Sequence, residues 1–267
     1  MKNKENKTKK VVVVTGSSSG IGLALCNLLL ENNYVVYGLD RNEGTGKFQS
    51  LVCDLTNYDR VGECFEEIYQ KEGKIDVLVN NAGMGISGAV EHISMEVTKK
   101  LFDVNMMATI NASKMIIPYF KKNGGGKIVC TSSIGGIIPL PFQTAYSMSK
   151  AAINSFVMSL RLEVAPLNIK VCAVMPGDAK TGFTKSREKT VDDAGYENRL
   201  NKSVGKMEKD EMGGMTPLSV AKVLFKQIER KNPPAIVSTG FTYKMVAFLQ
   251  KILPRRLMLK IVAKMYA

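Results

Sequence analysis

The architecture of this chain is set by VVVVTGSSSGIG, residues 11–22. Its four β-branched residues in succession are typical of a strand that is buried on both faces, and residues 23–31 continue with helical spacing. Between them, Gly16, Gly20 and Gly22 follow the spacing G-x-x-x-G-x-G. Such a unit can bind phosphate, because the turn admits a ligand to the backbone and the helix N-terminus offers unpaired N–H groups. A glycine turn can also have a purely structural role.

A second predicted strand, residues 34–39, ends at Asp40. A carboxylate at this point can accept hydrogen bonds from the ribose hydroxyls of an adenosine, and it repels a 2′-phosphate, which favours NAD over NADP. Arg41 stands next to it, and its guanidinium could hold that phosphate instead, so NADP stays open. The structural alternative is an exposed charge that only ends a strand.

Strand and helix patterns alternate along the rest of the chain. Further strands are predicted at residues 48–53, 75–79, 127–131 and 169–174, and helices at residues 59–72, 98–120, 145–163 and 218–231. This alternation predicts an α/β fold, a parallel sheet with helices on both faces. Ligands bind at the carboxyl ends of the strands in such a sheet, which is where the polar and glycine motifs of this chain fall.

Tyr146 and Lys150 stand four residues apart in the predicted helix 145–163, so both side chains leave the same face. A phenol with a pKa of about 10 is a poor base, and lowering that pKa by about three units takes roughly 4 kcal/mol. An ammonium about 5 Å away supplies on the order of 3 kcal/mol at an effective dielectric of about 20. The pair can therefore act as a general acid/base, although alone it is also the pattern of a helix surface.

Composition excludes several other chemistries. The 267 residues are 45% hydrophobic, which is enough for one well-packed domain. The five cysteines include no C-x-x-C pair and stand in apolar surroundings, so we expect reduced, buried thiols and no metal site. His92 is the single histidine, which argues against a Ser-His-Asp triad or a multi-histidine metal centre.

The chain shows neither a targeting segment nor a membrane span. Residues 1–10 carry five lysines and no secretory apolar region, and we expect residues 1–9 to form a disordered basic terminus. No run of eighteen apolar residues follows. The net charge is +13, but the lysines are spread along the chain without interleaved aromatic residues, which argues against nucleic-acid binding.

The joint pattern resembles the short-chain dehydrogenase/reductase family, and within it members that resemble hydroxysteroid dehydrogenases. The matching motifs, in the family's order and spacing, are Thr15-Gly16-x-x-x-Gly20-Ile21-Gly22, Asn80-Asn81-Ala82-Gly83, Asn105, Ser133, Tyr146-x-x-x-Lys150 and Pro176-Gly177-x-x-x-Thr181. The resemblance covers residues 10–240 and implies a single Rossmann-type domain, a doubly wound parallel β-sheet with helices on both faces. It also implies a homodimer or homotetramer built on the long helices.

The resemblance implies a role for each matched residue. Tyr146 would be the proton donor or acceptor, Lys150 would lower its pKa and hold the nicotinamide ribose, Ser133 would orient the substrate, and Asn105 would hold a water that links Lys150 to solvent. The cofactor would be NAD or NADP, with hydride transfer between the nicotinamide and a secondary alcohol carbon. Besides Tyr146 and Lys150, its predicted contacts are Gly16, Ser19, Gly20, Ile21, Gly22, Asp40, Arg41, Asp54, Leu55, Asn81, Ala82, Gly83, Pro176, Gly177, Ala179 and Thr181. Asp178 receives no role.

Residues 182–215 are predicted to form a substrate lid. Methionines such as Met207, Met212 and Met215 favour an adaptable pocket for a hydrophobic small molecule such as a steroid or a fatty acyl group; a solvated loop is the alternative. The predicted function is an NAD(P)-dependent oxidoreductase of a hydroxysteroid-like alcohol or ketone. The alternatives are a 3-oxoacyl thioester reductase and a non-catalytic regulator that binds the cofactor; the complete catalytic set argues against the latter.

Residues 241–267 carry apolar side chains at helical spacing, interrupted at Pro254, and a basic opposite face that includes Arg255, Arg256 and Lys260. A basic amphipathic helix can lie on an anionic membrane, or it can pack on its own domain or on a partner subunit. We expect a cytoplasmic protein whose extension packs on its own domain or on a partner subunit, with peripheral membrane contact through residues 241–267 as the alternative.

Overall fold

The computed structural model describes residues 9–190 and 194–266. The prediction for the basic terminus therefore lies outside the described residues, apart from Lys9. The strands are β1 (Val11–Thr15), β2 (Val35–Asp40), β3 (Gln49–Val52), β4 (Val77–Asn80), β5 (Ile86–Ser87), β6 (Gly126–Thr131), β7 (Ile169–Met175), β8 (Glu188–Lys189) and β9 (Ile236–Ser238). The helices are α1 (Gly20–Glu31), α2 (Tyr58–Glu72), α3 (Met95–Phe102), α4 (Ala108–Lys122), α5 (Thr144–Glu163), α6 (Phe183–Ser186), α7 (Arg199–Met212), α8 (Pro217–Glu229), α9 (Phe241–Ile252) and α10 (Arg255–Tyr266).

The main sheet has seven parallel strands in the order β3-β2-β1-β4-β6-β7-β9. The chain starts in the middle, at β1, and winds outward in both directions. Val12 of β1 therefore pairs with Val36 of β2 on one side and with Val77 of β4 on the other. This reversal of strand order leaves a crevice at the carboxyl ends of β1 and β4, where doubly wound folds bind ligands. The predicted fold class is confirmed.

The four valines of β1 explain why this strand organises the molecule. Successive side chains of a strand point to opposite faces of the sheet. Val11 and Val13 lie in the core beneath α2, α4 and α5, whereas Val12 and Val14 lie in the core beneath α1 and α8. All four are buried, so β1 is covered on both faces and its carboxyl end is held rigidly at the crevice.

The structure also contains elements that the sequence patterns do not predict. The predicted helix 98–120 is interrupted by a π-helical segment, Asp103–Met107. The lid region holds α7, whose buried side chains include Leu200, Val204 and Met207, and β8, which pairs with β5. The last strand, β9, has only three residues, too few for a periodic pattern.

The extension after β9 forms two helices, α9 and α10, on either side of Pro254. Tyr243 of α9 lies against the segment after β7, and α10 contacts α7. No helix among the described residues combines the length and the apolar character needed to cross a bilayer.

Candidate active site

A cavity of about 510 Å³ opens at the carboxyl ends of β1, β2, β4, β6 and β7. All of the predicted catalytic and cofactor-binding residues line it except Gly22 and Asn105. They are Gly16, Ser19, Gly20, Ile21, Asp40, Arg41, Asp54, Leu55, Asn81, Ala82, Gly83, Ser133, Tyr146, Lys150, Pro176, Gly177, Ala179 and Thr181. The fold thus brings residues from distant parts of the sequence to one cavity.

The glycine turn after β1 has no room for side chains. Gly16 has φ +68°, and a Cβ there would lie 2.8 Å from the Cα of Ala82. A Cβ on Gly22 would lie 1.9 Å from the carbonyl oxygen of Gly16. Gly22 therefore lets α1 pack against the turn. It does not line the cavity, and its predicted contact with a cofactor stays a prediction.

The first turn of α1 faces the same cavity. Gly20 and Ile21 line it, and the hydroxyl of Ser19, the residue before the helix, makes no capping hydrogen bond. The N–H groups of a helix's first turn have no partner within the helix and carry partial positive charge. This turn and helix N-terminus fit the pyrophosphate of a dinucleotide.

Asp40 and Arg41 mark the end of the cavity next to β2. The Asp40 carboxylate accepts hydrogen bonds from the backbone N–H of Ser18 at 3.0 Å and of Asn42 at 3.1 Å. These two bonds fix its orientation between the glycine turn and the strand end. Arg41 is exposed beside it. Both groups thus line the part of the cavity where the sequence predicts contacts with an adenosine ribose.

Asn81 holds the glycine turn in place. Its side-chain amide donates to the carbonyl oxygens of Thr15 and Gly16, both at 3.2 Å, and its side-chain oxygen accepts from the hydroxyl of Thr131 at 3.2 Å. Asn81 thus ties β1, β4 and β6 together at their carboxyl ends. The backbone that follows it, through Gly83, lines the cavity.

Asn105 lies behind the cavity wall, inside the π-helical segment. Its side-chain oxygen accepts from the N–H of Met84 at 2.7 Å, and its amide donates to the Met84 carbonyl at 3.0 Å and to the Ser149 hydroxyl at 3.1 Å. A Cβ on Gly83 would lie 3.2 Å from the Asn105 oxygen and 3.5 Å from the Lys150 ammonium. Asn105 is therefore next to Lys150, at an irregularity of the kind often found at functional sites.

Tyr146 and Lys150 lie on successive turns of α5, above the end of β6. The Lys150 ammonium donates to the carbonyl oxygen of Thr131 at 3.0 Å and lies 5.8 Å from the centroid of the Tyr146 ring. The Ser133 hydroxyl accepts the N–H of Gly135 at 3.1 Å. Strand β6 thus ends at Thr131, whose carbonyl binds Lys150, and Ser133 follows just beyond that end.

Burial dominates the electrostatics of this pair. It raises the pKa of Tyr146, and the hydrogen bond with Ser133 opposes that rise. Burial also lowers the pKa of Lys150 from 10.5 to about 8. The net shift of Tyr146 is thus opposite to the one that the sequence predicts, because desolvation of the phenolate outweighs the nearby charges.

The far end of the cavity is formed by the lid. The ring of Phe183 lies 5.7 Å from that of Tyr146, and Glu211 of α7 lines the cavity there. Glu211 accepts the Thr184 hydroxyl at 2.6 Å and pairs with Arg187, which is 5% exposed. Sequence analysis missed Glu211, since its position depends on how α7 packs.

Asp178, which had no predicted role, also lines the cavity. Its carboxylate accepts the hydroxyl of Tyr243 on α9, and its backbone N–H donates to that hydroxyl oxygen at 3.0 Å. A Cβ on the neighbouring Gly177 would lie 2.1 Å from the Tyr243 ring. The C-terminal extension therefore contacts the same segment whose residues line the cofactor cavity.

This arrangement can carry out proton-coupled hydride chemistry. A nicotinamide ring, when bound, supplies or accepts the hydride. The Tyr146 hydroxyl can give or take a proton, and the Ser133 hydroxyl can hydrogen-bond a carbonyl oxygen placed beside it. Within residues 9–190 and 194–266, no group of three or more His, Cys, Asp or Glu side chains could hold a metal ion.

Known proteins are similar to this chain in sequence and in fold. Residues 10–192 match the model of the short chain dehydrogenase family. The 3-ketodihydrosphingosine reductase of Bacteroides thetaiotaomicron is 39% identical over 236 residues, covering 86% of this chain and 88% of that protein. The NADPH-dependent 3-dehydrocapnine reductase of Ornithobacterium rhinotracheale is 30% identical over 276 aligned positions, covering 96% of each. The crystal structure of a short-chain dehydrogenase from Streptomyces avermitilis aligns with a TM-score of 0.83 at 25% identity, covering 97% of both chains.

The chain belongs to the short-chain dehydrogenase family. It is an oxidoreductase that acts on hydroxyl-bearing or keto carbons with a nicotinamide cofactor. The predicted family and reaction class are confirmed.

Proposed function

We propose that this enzyme reduces the 3-keto group of a long-chain amino ketone, a lipid with an amine on the carbon next to the ketone. The observation that carries this proposal is the similarity, over most of both chains, to the 3-ketodihydrosphingosine reductase and the 3-dehydrocapnine reductase. Both relatives are named as reductases, one of a 3-keto compound and the other of a 3-dehydro compound.

The state of Tyr146 supports the reductive direction. Burial raises the pKa of its hydroxyl, so the protonated form is favoured at neutral pH. A protonated phenol is the species that donates a proton to the oxygen of a ketone as hydride reaches the carbon. Alcohol oxidation would instead require the phenolate.

In this proposal each member of the catalytic set has one task. Tyr146 donates the proton, and Ser133 hydrogen-bonds the carbonyl oxygen. Lys150 holds the nicotinamide ribose, and Asn105 holds a water through which the proton is resupplied. The position of Asn105 next to Lys150, behind Gly83, supports that last assignment.

The charges around Tyr146 support an amine-bearing substrate. Glu211 and Asp178 both line the cavity, and their negative charges contribute to the raised pKa of Tyr146. The positive charge of Arg187 partly offsets the negative charge of Glu211 through their ion pair. A cationic ammonium fits this end better than the anionic carrier of a 3-oxoacyl thioester. The hydroxysteroid preference of the sequence analysis rests on the apolar lid residues, among them Phe183, and is the competing candidate.

NAD is the proposed cofactor, because the Asp40 carboxylate lines the adenosine end of the cavity and would repel a 2′-phosphate. NADP is the second candidate. Two observations favour it: Arg41 lines the cavity next to Asp40, and the Ornithobacterium relative is named as NADPH-dependent.

We also propose a homodimer or homotetramer that pairs through the long helices, with α5 at the contact. The exposed face of α5 includes Met148, Met158 and Leu162, the last 78% exposed. A peripheral membrane location accords with a substrate that has a long hydrocarbon chain. Sedimentation equilibrium would test the assembly, and a purely monomeric enzyme would contradict it.

The test of the proposed function is steady-state oxidation of NADH and of NADPH with four substrates: a long-chain 2-amino-3-ketone, its uncharged N-acyl derivative, a 3-oxoacyl thioester and a 3-ketosteroid. We expect the highest kcat/KM for the free amine. A higher kcat/KM for the thioester or the steroid would overturn the substrate class. Tyr146→Phe serves as the control for turnover by another enzyme in the preparation.

A further inference from the structure

The two C-terminal helices α9 and α10, here called the C-terminal helix pair, expose an unusual amount of apolar surface. On α9 the exposed apolar residues stand at i, i+4, i+7, i+8 and i+11, which places them on one face. They are Phe241, Met245, Phe248, Leu249 and Ile252, and Phe248 and Ile252 are 61% and 60% exposed. On α10 a second exposed row contains Leu257, Ile261 and Met265.

Cations run alongside these apolar rows. On α10, Arg256, Lys260 and Lys264 each precede a member of the apolar row by one residue, so a basic row lies next to an apolar row. Lys244, Lys251 and Arg255 are exposed as well. No acidic residue occurs between Gly240 and the end of the sequence. An apolar face on helices whose charged side chains are all cations is complementary to an anionic lipid surface.

The C-terminal helix pair is also joined to the active-site cavity. Tyr243 of α9 hydrogen-bonds Asp178 on the cavity wall. At the other end of the pair, the Tyr266 hydroxyl donates to Asp210 of α7 at 3.1 Å, and the Lys206 ammonium lies 5.4 Å from the Tyr266 ring centroid. The C-terminal helix pair therefore lies beside the predicted lid segment and the wall of the cavity.

We infer that the C-terminal helix pair docks the enzyme on an anionic bilayer and places its lid next to the lipid surface. The docking part of this inference stands on the exposed residues alone. The substrate part, that a ketone is taken up from the bilayer, rests on the proposed function. The bilayer contact would be made by Phe248, Ile252, Leu257 and Ile261, with the basic row at the headgroups.

The first experiment is co-sedimentation of the full chain with phosphatidylglycerol-containing vesicles and with pure phosphatidylcholine vesicles. We expect tighter binding to the anionic vesicles. The triple variant R256Q/K260Q/K264Q should bind them on the order of a hundredfold more weakly, at roughly fivefold per cation near the surface. The matched control K47Q/K222Q/K226Q removes the same charge from exposed positions elsewhere, and should retain binding within a few-fold.

A second variant, F248Q/I252Q, removes apolar surface without changing charge, and should weaken binding to both kinds of vesicle. Equal losses in the triple variant and its control would overturn the inference, because net charge alone would then explain binding. Sedimentation equilibrium without lipid tests a second copy of this chain as the occupant. An oligomer that dissociates in F248Q/I252Q, with no vesicle binding by the parent chain, would also overturn it.

Uptake of the ketone from the bilayer is tested separately, by steady-state kinetics. In the triple variant, kcat/KM for a long-chain amino ketone embedded in vesicles should fall at least tenfold, whereas kcat/KM for a short water-soluble amino ketone should not change. An equal kcat/KM for the embedded ketone in parent and variant would overturn uptake from the bilayer. If neither ketone is reduced by any variant or by the parent chain, the proposed function fails while the vesicle result stands independently.

Discussion

The Lys150 ammonium donates a hydrogen bond of 3.0 Å to the main-chain carbonyl of Thr131, the last residue of β6. This bond fixes the side chain on the sheet, 5.8 Å from the centroid of the Tyr146 ring. Lys150 is buried, at 5% exposure, and this burial lowers its pKa from 10.5 to about 8. The enzyme therefore retains, at the centre of its cavity, a charge that destabilises the fold.

The first prediction is that Lys150→Met stabilises the cofactor-free protein at neutral pH. Because the pKa falls to about 8 on folding, the unfolded chain binds more protons between that value and 10.5, and stability rises with pH across this window. The buried ammonium thus costs on the order of 3 kcal/mol at pH 7. Loss of the Thr131 hydrogen bond offsets about 1 kcal/mol, which leaves Lys150→Met about 2 kcal/mol more stable.

Urea unfolding of both proteins, at pH 7 and at about pH 10.5, measures this difference. The advantage of Lys150→Met should largely disappear at the higher pH, where Lys150 is neutral in the folded protein and about half protonated in the unfolded chain. Lys222→Met, at an exposed position of α8, is the control and should show no such pH-dependent difference. An advantage that stayed constant with pH would contradict the electrostatic explanation.

The second prediction concerns Tyr146 and pH. Tyr146→Phe should lower kcat for ketone reduction by about 10²–10⁴-fold, the usual contribution of a general acid, with the cofactor Kd nearly unchanged. In the parent enzyme, kcat/KM for reduction should be flat through neutral pH and fall only in the alkaline range, because burial raises the pKa of the proton donor. Stopped-flow fluorescence of the bound reduced cofactor gives Kd separately from kcat. Substantial turnover by Tyr146→Phe would refute the assignment.

The third prediction separates structure from chemistry at Asn105. Asn105→Ala leaves the N–H and carbonyl of Met84 without their partners at 2.7 and 3.0 Å, so we expect a loss of about 1–3 kcal/mol in the free energy of unfolding. A role in proton resupply further predicts a solvent isotope effect on kcat that differs from that of the parent enzyme. Thr109→Val is the control, because it removes the hydroxyl that bonds the Asn105 carbonyl but keeps the amide in place. A solvent isotope effect on kcat equal to that of the parent enzyme would show that Asn105 has only a structural role.

Whether a feature of this protein can be predicted from the sequence depends on whether it is determined by neighbouring residues or by distant packing. The β1 valines and the glycine turn are local patterns, and they predicted correctly the central strand and the tight turn that follows it. The matched motifs predicted which residues would meet at the cavity. The sequence did not indicate the upward pKa shift of Tyr146, since desolvation depends on packing around the residue. Nor did it indicate Glu211 or Asp178, whose positions depend on α7 and α9 packing against the lid and the segment after β7.

The fourth prediction tests the cofactor. Asp40→Ala removes the carboxylate at the adenosine end, so kcat/KM with NADH should fall about 10–100-fold and that with NADPH should rise. The hydrogen bonds of Asp40 to Ser18 and Asn42 are lost as well. Asp40→Asn keeps a hydrogen-bond acceptor but loses the charge, so it separates the loss of hydrogen bonds from the loss of repulsion. If both variants change the preference between NADH and NADPH, repulsion of the 2′-phosphate is the cause. Arg41→Ala should lower kcat/KM only for NADPH. No change of preference in either Asp40 variant would contradict the argument for NAD.

The fifth prediction is that Tyr243 positions the segment after β7 through its hydroxyl. Tyr243→Phe keeps the ring that fills the space beside Gly177 but loses the two hydrogen bonds with Asp178. Burial raises the pKa of Asp178, and the Tyr243 hydroxyl opposes that rise, so the variant should shift the Asp178 titration upward. The hydroxyl thus stabilises the charged carboxylate, and the loss in the free energy of unfolding caused by Tyr243→Phe should be larger at neutral pH than at acidic pH, where Asp178 is protonated. Tyr243→Ala, which also empties the space beside Gly177, should in addition raise KM for the cofactor several-fold. Urea unfolding at the two pH values measures the difference, and an equal loss at both would show that α9 supports the cavity by packing alone.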